Sequence, residues 1–488
     1  MNTSADGYQW NPQEGFKTGV PTDAVILPKE FNVQTDKCYD AIVIGAGYAG
    51  LRALRDLSTQ GYKTILLEGR DRIGGRSWTV KKDGYVYEVG GTWVHRNQAQ
   101  VWTEIERYGF ANRLKDSQDF YEGSRTPTIN RNGKLHQVPW TDQAAQRGFD
   151  KFCGIDGQNG VSVFDLNSSQ WLDNESFIQW DNMSCQDRLD QIQSELTPEE
   201  HEGLLTILCS MSKLPASRPS FAEVLRWVAL SGGTLNGLGQ HAARWKLADG
   251  QTALARAIFD DARASGNLSY KFCSAAAEVK TADEQTTVTT HDDQTFKARH
   301  VVVAVPLNCL KDITFEPGLE PVKAEAIGRG QTNDAYKVCV EASGKEWRNW
   351  SGHAFPDKGI PVLIGDGITP SGNTYLITTP GNYINPSKDP EKLLEALQYL
   401  HPDLKIERLF GCDYFSDPFS KGGWAVHEPG FVTKYLKSLQ APAGNVHFAN
   451  ADWANLWRGF IDGALESGSC AAAAIHKAES LRLGRLKF

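Results

Sequence analysis

The chain has 488 residues, enough for about three domains of ordinary size or for two built from interleaved segments. Hydrophobic residues are 40% and charged residues 23%, which excludes dominant disorder, a collagen-like repeat and a coiled coil. The formal net charge of −8 argues against nucleic acid as a partner, since phosphate backbones recruit basic surfaces. Residues 1–37 hold turn formers (Asn11-Pro12, Gly15, Gly19, Pro21, Pro28) with no sustained period, and are expected to form an arm on the surface. Tyr39 to Ile44 is a short apolar run that suits a buried parallel strand. Leu51, Leu54 and Leu57 then mark one face of a helix, Gly61 stops it, and Thr64 to Leu67 is a second buried strand, giving a βαβ unit. From Val101 to about Trp245 helical spacing prevails, as in Leu189–Glu195 and Phe221–Leu230, between Pro and Gly breaks. Strands return over 270–273, 277–281, 286–290 and 301–305, a mixed segment runs to about Phe419, and Ile461 to Leu483 is a helix rich in small residues.

Gly45-Ala46-Gly47-Tyr48-Ala49-Gly50 fits GxGxxG and stands between the first strand and the helix. There Gly45 makes a tight turn, Gly47 lets a pyrophosphate approach the backbone, and Gly50 allows close helix–sheet packing, with the helix N-terminus facing the phosphates. Glu68, 18 residues after Gly50 at the end of the second strand, can accept hydrogen bonds from ribose hydroxyls. Gly69-Arg70-Asp71-Arg72-Ile73-Gly74-Gly75-Arg76 adds close backbone approach and positive charge beside the pyrophosphate, and Gly90-Gly91-Thr92-Trp93 is a second site of close approach. The alternative for each, a glycine turn with a surface side chain, leaves the strand–loop–helix context unexplained. A dinucleotide is expected here.

These segments together resemble the flavin-containing amine oxidase family, whose FAD domain carries the GxGxxG, the E-x-R-D-R-x-G-G-R extension and the GG-T/S-aromatic motif. The resemblance runs from about Asp6 to Lys477 and is strongest to the soluble fungal monoamine oxidases. It implies an α/β fold: a Rossmann-type FAD-binding domain assembled from residues 38–100, 245–306 and 420–488, with an inserted α+β substrate domain over 101–244 and 307–419, the p-hydroxybenzoate hydroxylase-like plan. It further implies that Val279 meets the adenine and that the block Ala449-Asn450-Ala451-Asp452 with Ile461 completes the FAD site. The helix starting at Ile461 would aim its positive end at the flavin pyrimidine. Trp424 and Phe460 match the aromatic pair that forms a cage before the flavin, able to orient an amine and to attract its ammonium form. Filling core is the bland alternative for both. Lys337 matches the family lysine that reaches the flavin N5 edge through a water. Strand alternation puts it on the face of Ala335 and Cys339, an unusual place for a merely solvated charge. Tyr414 stands where the family usually has Trp, so packing beside the flavin is expected to differ. His427 reads as a structural histidine rather than a base.

The function implied is oxidation of an amine to an imine, which water hydrolyses to an aldehyde or ketone, with dioxygen reduced to hydrogen peroxide. Rivals are an oxidase of amino acids or polyamines, a desaturase acting on an alkaloid-like amine, and a redox-inactive binding module of the same fold. An amino-acid oxidase would need an Arg in the pocket, which the sequence does not place. FAD is expected without a covalent bond, because animal relatives attach it through a cysteine just before the first cage aromatic and here that residue is Gly423. The nine cysteines are scattered, with no CxxC pair, so neither a disulfide scaffold nor a metal site is expected. No secretory signal and no apolar run of membrane-spanning length is visible, which points to the cytoplasm. The C-terminal Arg485-Leu486-Lys487-Phe488 is a poor match to a peroxisomal address. The partners expected are an amine and dioxygen, no nucleic acid, and a second copy of the chain in a homodimer.

Overall fold

A computed structural model describes every residue except 1, 120–124, 140, 165–170, 213–214, 283, 355–359, 381–383, 387, 483 and 485–488. The C-terminal tripeptide weighed as a targeting address lies outside the described residues.

Two nine-stranded sheets organise the chain. In the first, Val446–Phe448, Thr295–Val303, Cys38–Ile44, Thr64–Glu68 and Leu268–Phe272 run parallel in that order. Their hydrophobic runs are continuous because both faces are covered. Ile42 and Ile44 enter a core shared with the middle helices, while Ala41 and Val43 point the other way, into a core holding Leu51, Leu54 and Leu57. The helices Tyr48–Thr59, Gln251–Ala264 and Ile461–Arg482 cover that second face. The first of these starts directly after the first strand, at a turn where Gly45 has φ +104° and a Cβ on Gly50 would sit 1.9 Å from the Gly45 carbonyl oxygen. Only glycine fits at Gly50 without moving that turn. Glu30–Phe31 and the antiparallel strands Ala276–Ala282 and Gln285–Thr290, with Thr314–Glu316, complete the sheet.

The second sheet runs in the order Lys134–Gln137, Thr126–Arg131, Trp350–His353, Val362–Ile368, Thr374–Thr378, Lys337–Ala342, Ile406–Cys412, Asn2–Asn11 and Gly15–Thr22. Alternation along Lys337–Ala342 separates two cores: Val338, Val340 and Ala342 pack on one side, and Cys339 on the other with Tyr87, Tyr375 and Phe410. The helices of residues 142–242 lie mostly in the first sheet's core.

Two local expectations need correcting. Residues 2–22 are a β hairpin rather than an irregular arm, and Tyr8–Trp10 pair with Leu409–Gly411. The register breaks between Ser4 and Tyr8, where Gly7 adopts φ +74°, and this bulge erased the period a strand would show. The segment expected to be mainly helical also contains the hairpin Thr126–Arg131 and Lys134–Gln137, which extends the second sheet. Among the described residues no helix is long and apolar enough to cross a membrane.

Candidate active site

A cavity of about 1470 Å³ is lined from both sheets and from the middle helices. Single ligand pockets usually span about 300–1,000 Å³, so this volume has room for a large ligand and a small one together.

One end lies at the glycine loop. The helix Tyr48–Thr59 begins at Gly47 with no side-chain cap, which leaves its first N–H groups for an anion. A Cβ on Gly75 would come 3.1 Å from Gly47 Cα, whereas the nearest atom to a Cβ on Gly47 is Gly75 Cα at 3.9 Å. Two bare backbones thus face each other across a gap that a side chain would fill. Glu68 is buried beside it. Its Oε2 accepts from Ala46 N–H at 2.5 Å and its Oε1 from Arg70 N–H at 2.8 Å, while burial lifts its carboxyl above the usual range. The arginines do not present free charge as the sequence suggested. Arg70 is held by Asp417 (2.6 and 2.8 Å) and Asp6 (2.9 Å). Arg72 donates to Asp6 at 2.8 Å and lies over the Trp78 ring. Arg76 donates to Asp452 Oδ1 at 2.7 Å, Asn450 Oδ1 at 2.9 Å and the Gly423 carbonyl at 2.6 Å. The donor set is backbone N–H with charge already balanced, which suits a dinucleotide pyrophosphate lying against main chain.

The other end holds Thr92, Trp93, Lys337, Trp424, Phe460 and Ile461. Lys337 is buried on a central strand, so it cannot reach bulk water. Its Nζ donates to Thr92 Oγ1 at 3.0 Å and stands 5.2 Å from the centre of the Trp93 ring. Among the described residues no carboxylate pairs with it, in contrast to Lys246, which is closed onto Asp366. Burial lowers the Lys337 ammonium pKa, with Cys339, Asp366 and Glu88 opposing the shift. The Trp424 indole donates to the Met211 carbonyl at 3.0 Å. Phe460 is edge-on to Trp227 and Trp457, with centroids at 4.9 and 5.0 Å. A Cβ on Gly459 would stand 3.7 Å from Trp424 Cβ, so the two aromatic segments abut. Tyr414 fills its corner by donating to Val89 O at 2.8 Å and accepting from Trp78 Nε1 at 3.1 Å.

Of the residues singled out from sequence, Gly45, Gly47, Ala49, Glu68, Gly69, Arg70, Gly75, Arg76, Gly90, Gly91, Thr92, Trp93, Lys337, Tyr414, Trp424, Ala451, Phe460 and Ile461 line the cavity. Gly50, Val279 and Asp452 do not. Gly50 packs on the turn, Val279 is in the core of the first sheet, and Asp452 clamps Arg76 and accepts from Leu307 N–H at 3.0 Å. The wall beyond the glycine loop is made by Ala275 and Ala276 instead of Val279. Ala335 lines the cavity but precedes the Lys337 strand, so of the two neighbours expected from alternation Cys339 alone shares a strand face with the lysine, together with Glu341. His427 is buried against Phe431 with Nε2 on the Asp452 carbonyl, outside the cavity.

Sequence reasoning missed Glu88, Gln251 and Trp227. The Gln251 side chain donates to the Thr92 carbonyl at 2.8 Å and its N–H to Glu88 Oε1 at 2.8 Å, so it pins the strip beneath Lys337. Burial pushes the Glu88 carboxyl up to about 7. Their signal was a lone acid and a lone amide with no motif, legible only once the folded chain brings them together.

The profile of flavin containing amine oxidoreductases matches residues 48–476. A pseudooxynicotine dehydrogenase of a Pseudomonas species is 30% identical over 439 residues, covering 89% of this chain and 86% of its own. The (S)-6-hydroxynicotine oxidase of Paenarthrobacter nicotinovorans is 26% identical over 453 residues, covering 90% and 99%. Putrescine oxidase, solved with putrescine bound, superposes with a TM-score of 0.75 at 21% identity over 90% of this chain and 99% of that one, which shows a shared fold. A match across this much of the chain, over a glycine cradle that opens into an aromatic, lysine-bearing cavity, is decisive: the chain belongs to the flavin-containing amine oxidoreductases.

Proposed function

We propose that this amine-oxidising flavoprotein holds FAD without a covalent bond, converts an amine to its imine, and passes the electrons to dioxygen with release of hydrogen peroxide. The observation that carries the reading is the continuity of one cavity, from the bare Gly47–Gly75 gap to the buried Lys337 beside Trp93, with Trp424 and Phe460 in the same lining. When bound, the flavin supplies the acceptor for the hydride of the amine α-carbon.

The rest is work for the chain's own residues. The N-terminus of the helix Tyr48–Thr59 and the backbone of Gly47 and Gly75 receive the pyrophosphate. Glu68, already fixed by two backbone N–H groups, turns its remaining lone pairs to the ribose hydroxyls. Gly91, Thr92 and the helix start at Ile461 line the flavin ring's place. Trp424 and Phe460 hold the amine and exclude water, which favours its neutral form. The Lys337 cation stands where a developing negative charge on oxygen needs a partner. No strong protein base is assigned. Cys412, the cysteine nearest in sequence to Trp424, pairs across the ladder with Lys337 but is buried outside the cavity, with its thiol pushed up to about 12, so it offers no thiolate for attachment. In the same reading the domain division stands at 38–100, 245–306 and 420–488 against 101–244 and 307–419.

The test is direct. Purified holoenzyme is offered aryl, cyclic and straight-chain amines, diamines and amino acids while peroxide is followed, and a second portion is precipitated with acid. Peroxide matching amine consumed and yellow colour in the supernatant are the expected results. Flavin reduction without peroxide would mean another electron acceptor, as the name of the pseudooxynicotine dehydrogenase would suggest, and a yellow pellet would overturn non-covalent binding.

A further inference from the structure

The helix Phe221–Leu230 carries two unlike stripes. Phe221, Ala222, Val224, Leu225 and Val228 are buried in the core of the middle helices. Glu223, Arg226 and Trp227, at spacings of three and four, share the opposite side. That side grips the irregular segment of residues 454–460. Arg226 donates to the Leu456 carbonyl at 2.6 Å and the Arg458 carbonyl at 3.2 Å. Glu223 accepts from Arg458 Nη2 at 2.6 Å and from Arg226 Nη2 at 3.2 Å, and Arg458 in turn donates to the Ala454 carbonyl at 2.8 Å. All three side chains are buried, so neither arginine can trade these partners for water. The next residue of the stripe, Trp227, meets Phe460 edge-on with an interplanar angle of 69° and lines the cavity itself.

The neighbouring helices extend this wall without charge. Pro198–Ser212 contributes Ile207 and Met211, Leu235–Ala242 contributes Leu235 and Leu238, and no cavity-lining residue of these helices or of Phe221–Leu230 is charged among the described residues. Asp142, on the helix Asp142–Cys153 that packs against Pro198–Ser212, lines the cavity too but is exposed. A second ammonium lying against the three uncharged helices would be desolvated without a counter-charge there. A flat apolar body would meet rings on more than one side.

We infer that Trp227 is a specificity-determining residue that, with Trp424 and Phe460, selects amines bearing one positive charge and an aromatic or cyclic body over straight-chain diamines. This rests on the amine-oxidase reading above and names its substrate class. The Glu223–Arg226–Arg458 clamp fixes the wall: it holds the segment ending in Phe460 against the helix that presents Trp227, so the enclosure keeps its shape when empty.

The experiment compares holoenzyme of the parent chain with Trp227→Ala, Trp227→Leu and Trp227→Phe, using 2-phenylethylamine, n-octylamine and 1,4-diaminobutane. The parent is expected to prefer 2-phenylethylamine. In the Ala and Leu variants the ratio of kcat/KM for 2-phenylethylamine over n-octylamine should fall by about tenfold or more, chiefly through KM, while Phe keeps most of it. If Ala does not yield folded, yellow protein, Leu carries the comparison. An unchanged ratio in Leu, an equal fall for both amines, or a parent that prefers 1,4-diaminobutane each overturns the inference. A parent that oxidises none of the three while oxidising other amines also overturns it, whereas a parent inert toward every amine removes the underlying reading and this inference with it.

Discussion

The two ends of the cavity solve opposite electrostatic problems. At the glycine loop every arginine is answered: Arg70 and Arg72 by Asp6, Arg70 again by Asp417, and Arg76 by Asp452. At the aromatic end the Thr92 hydroxyl is the one hydrogen-bond partner of Lys337 among the described residues, and the buried ammonium stands 5.2 Å from the centre of the Trp93 ring. The difference teaches what each end can do. An anion of fixed shape is held by main-chain N–H groups on a charge-balanced, rigid frame. A reaction in which charge develops gains more from an ammonium kept in a low dielectric and not already neutralised.

The largest effect should come from breaking the balance at the loop. Asp452→Ala leaves Arg76 without its buried carboxylate and the Leu307 N–H without an acceptor. A loss of about 3 kcal/mol in unfolding free energy is expected, typical of a buried pair deprived of one member. The urea unfolding curve with and without FAD checks this. A loss below about 1 kcal/mol, the worth of a surface pair, would mean that this end is not built on charge balance.

Glu68→Ala acts next. It removes the acceptor that ties Ala46 and Arg70 together, a charged hydrogen bond worth roughly 1.5–3 kcal/mol. FAD retention through dialysis should weaken by about tenfold or more. A variant that keeps its flavin as well as the parent would deny Glu68 any part in holding it.

Lys337→Met sharpens the contrast from the other end, with the smallest effect on stability. Burial lowers the folded-state pKa of Lys337 below the ordinary lysine value of 10.5. The folded state therefore disfavours the charged form. The cost is fully present below the lowered pKa and is relieved as pH climbs from there toward 10.5. The Met variant should be at least as stable as the parent at neutral pH, and the parent should gain on it as pH rises through that window. Thermal unfolding of the FAD-free proteins at several pH values reads this. In stopped-flow experiments the variant should keep FAD yet reoxidise more slowly with oxygen. An unchanged rate removes the role proposed for the cation.

Much of the nucleotide end was legible because its signals are local. A tight turn, a helix start and a strand end sit within 24 residues, from Gly45 to Glu68, and each leaves a residue type that the backbone demands. The Phe221–Leu230 helix was also readable, with its bounds, from apolar spacing alone. The N-terminal hairpin was not, because the bulge at Gly7 interrupts alternation and its partner strand lies about 400 residues away. The arginines misled for a related reason. Arg70-Asp71-Arg72 shows charge but not its partners, and Asp6 and Asp417 arrive from opposite ends of the chain.

By itself the sequence determined the βαβ unit, the glycine cradle, the residue types at the aromatic pair and the lysine, and through them the family. Those features depend on near neighbours and on the period of strand or helix. Only the tertiary structure decided what surrounds them: that Lys337 lies on a central strand with a hydroxyl for company, that Asp452 is a clamp rather than part of the cavity wall, and that Trp227 stands edge-on to Phe460. Burial and charge pairing are sums over residues remote in the chain, so no local pattern encodes them.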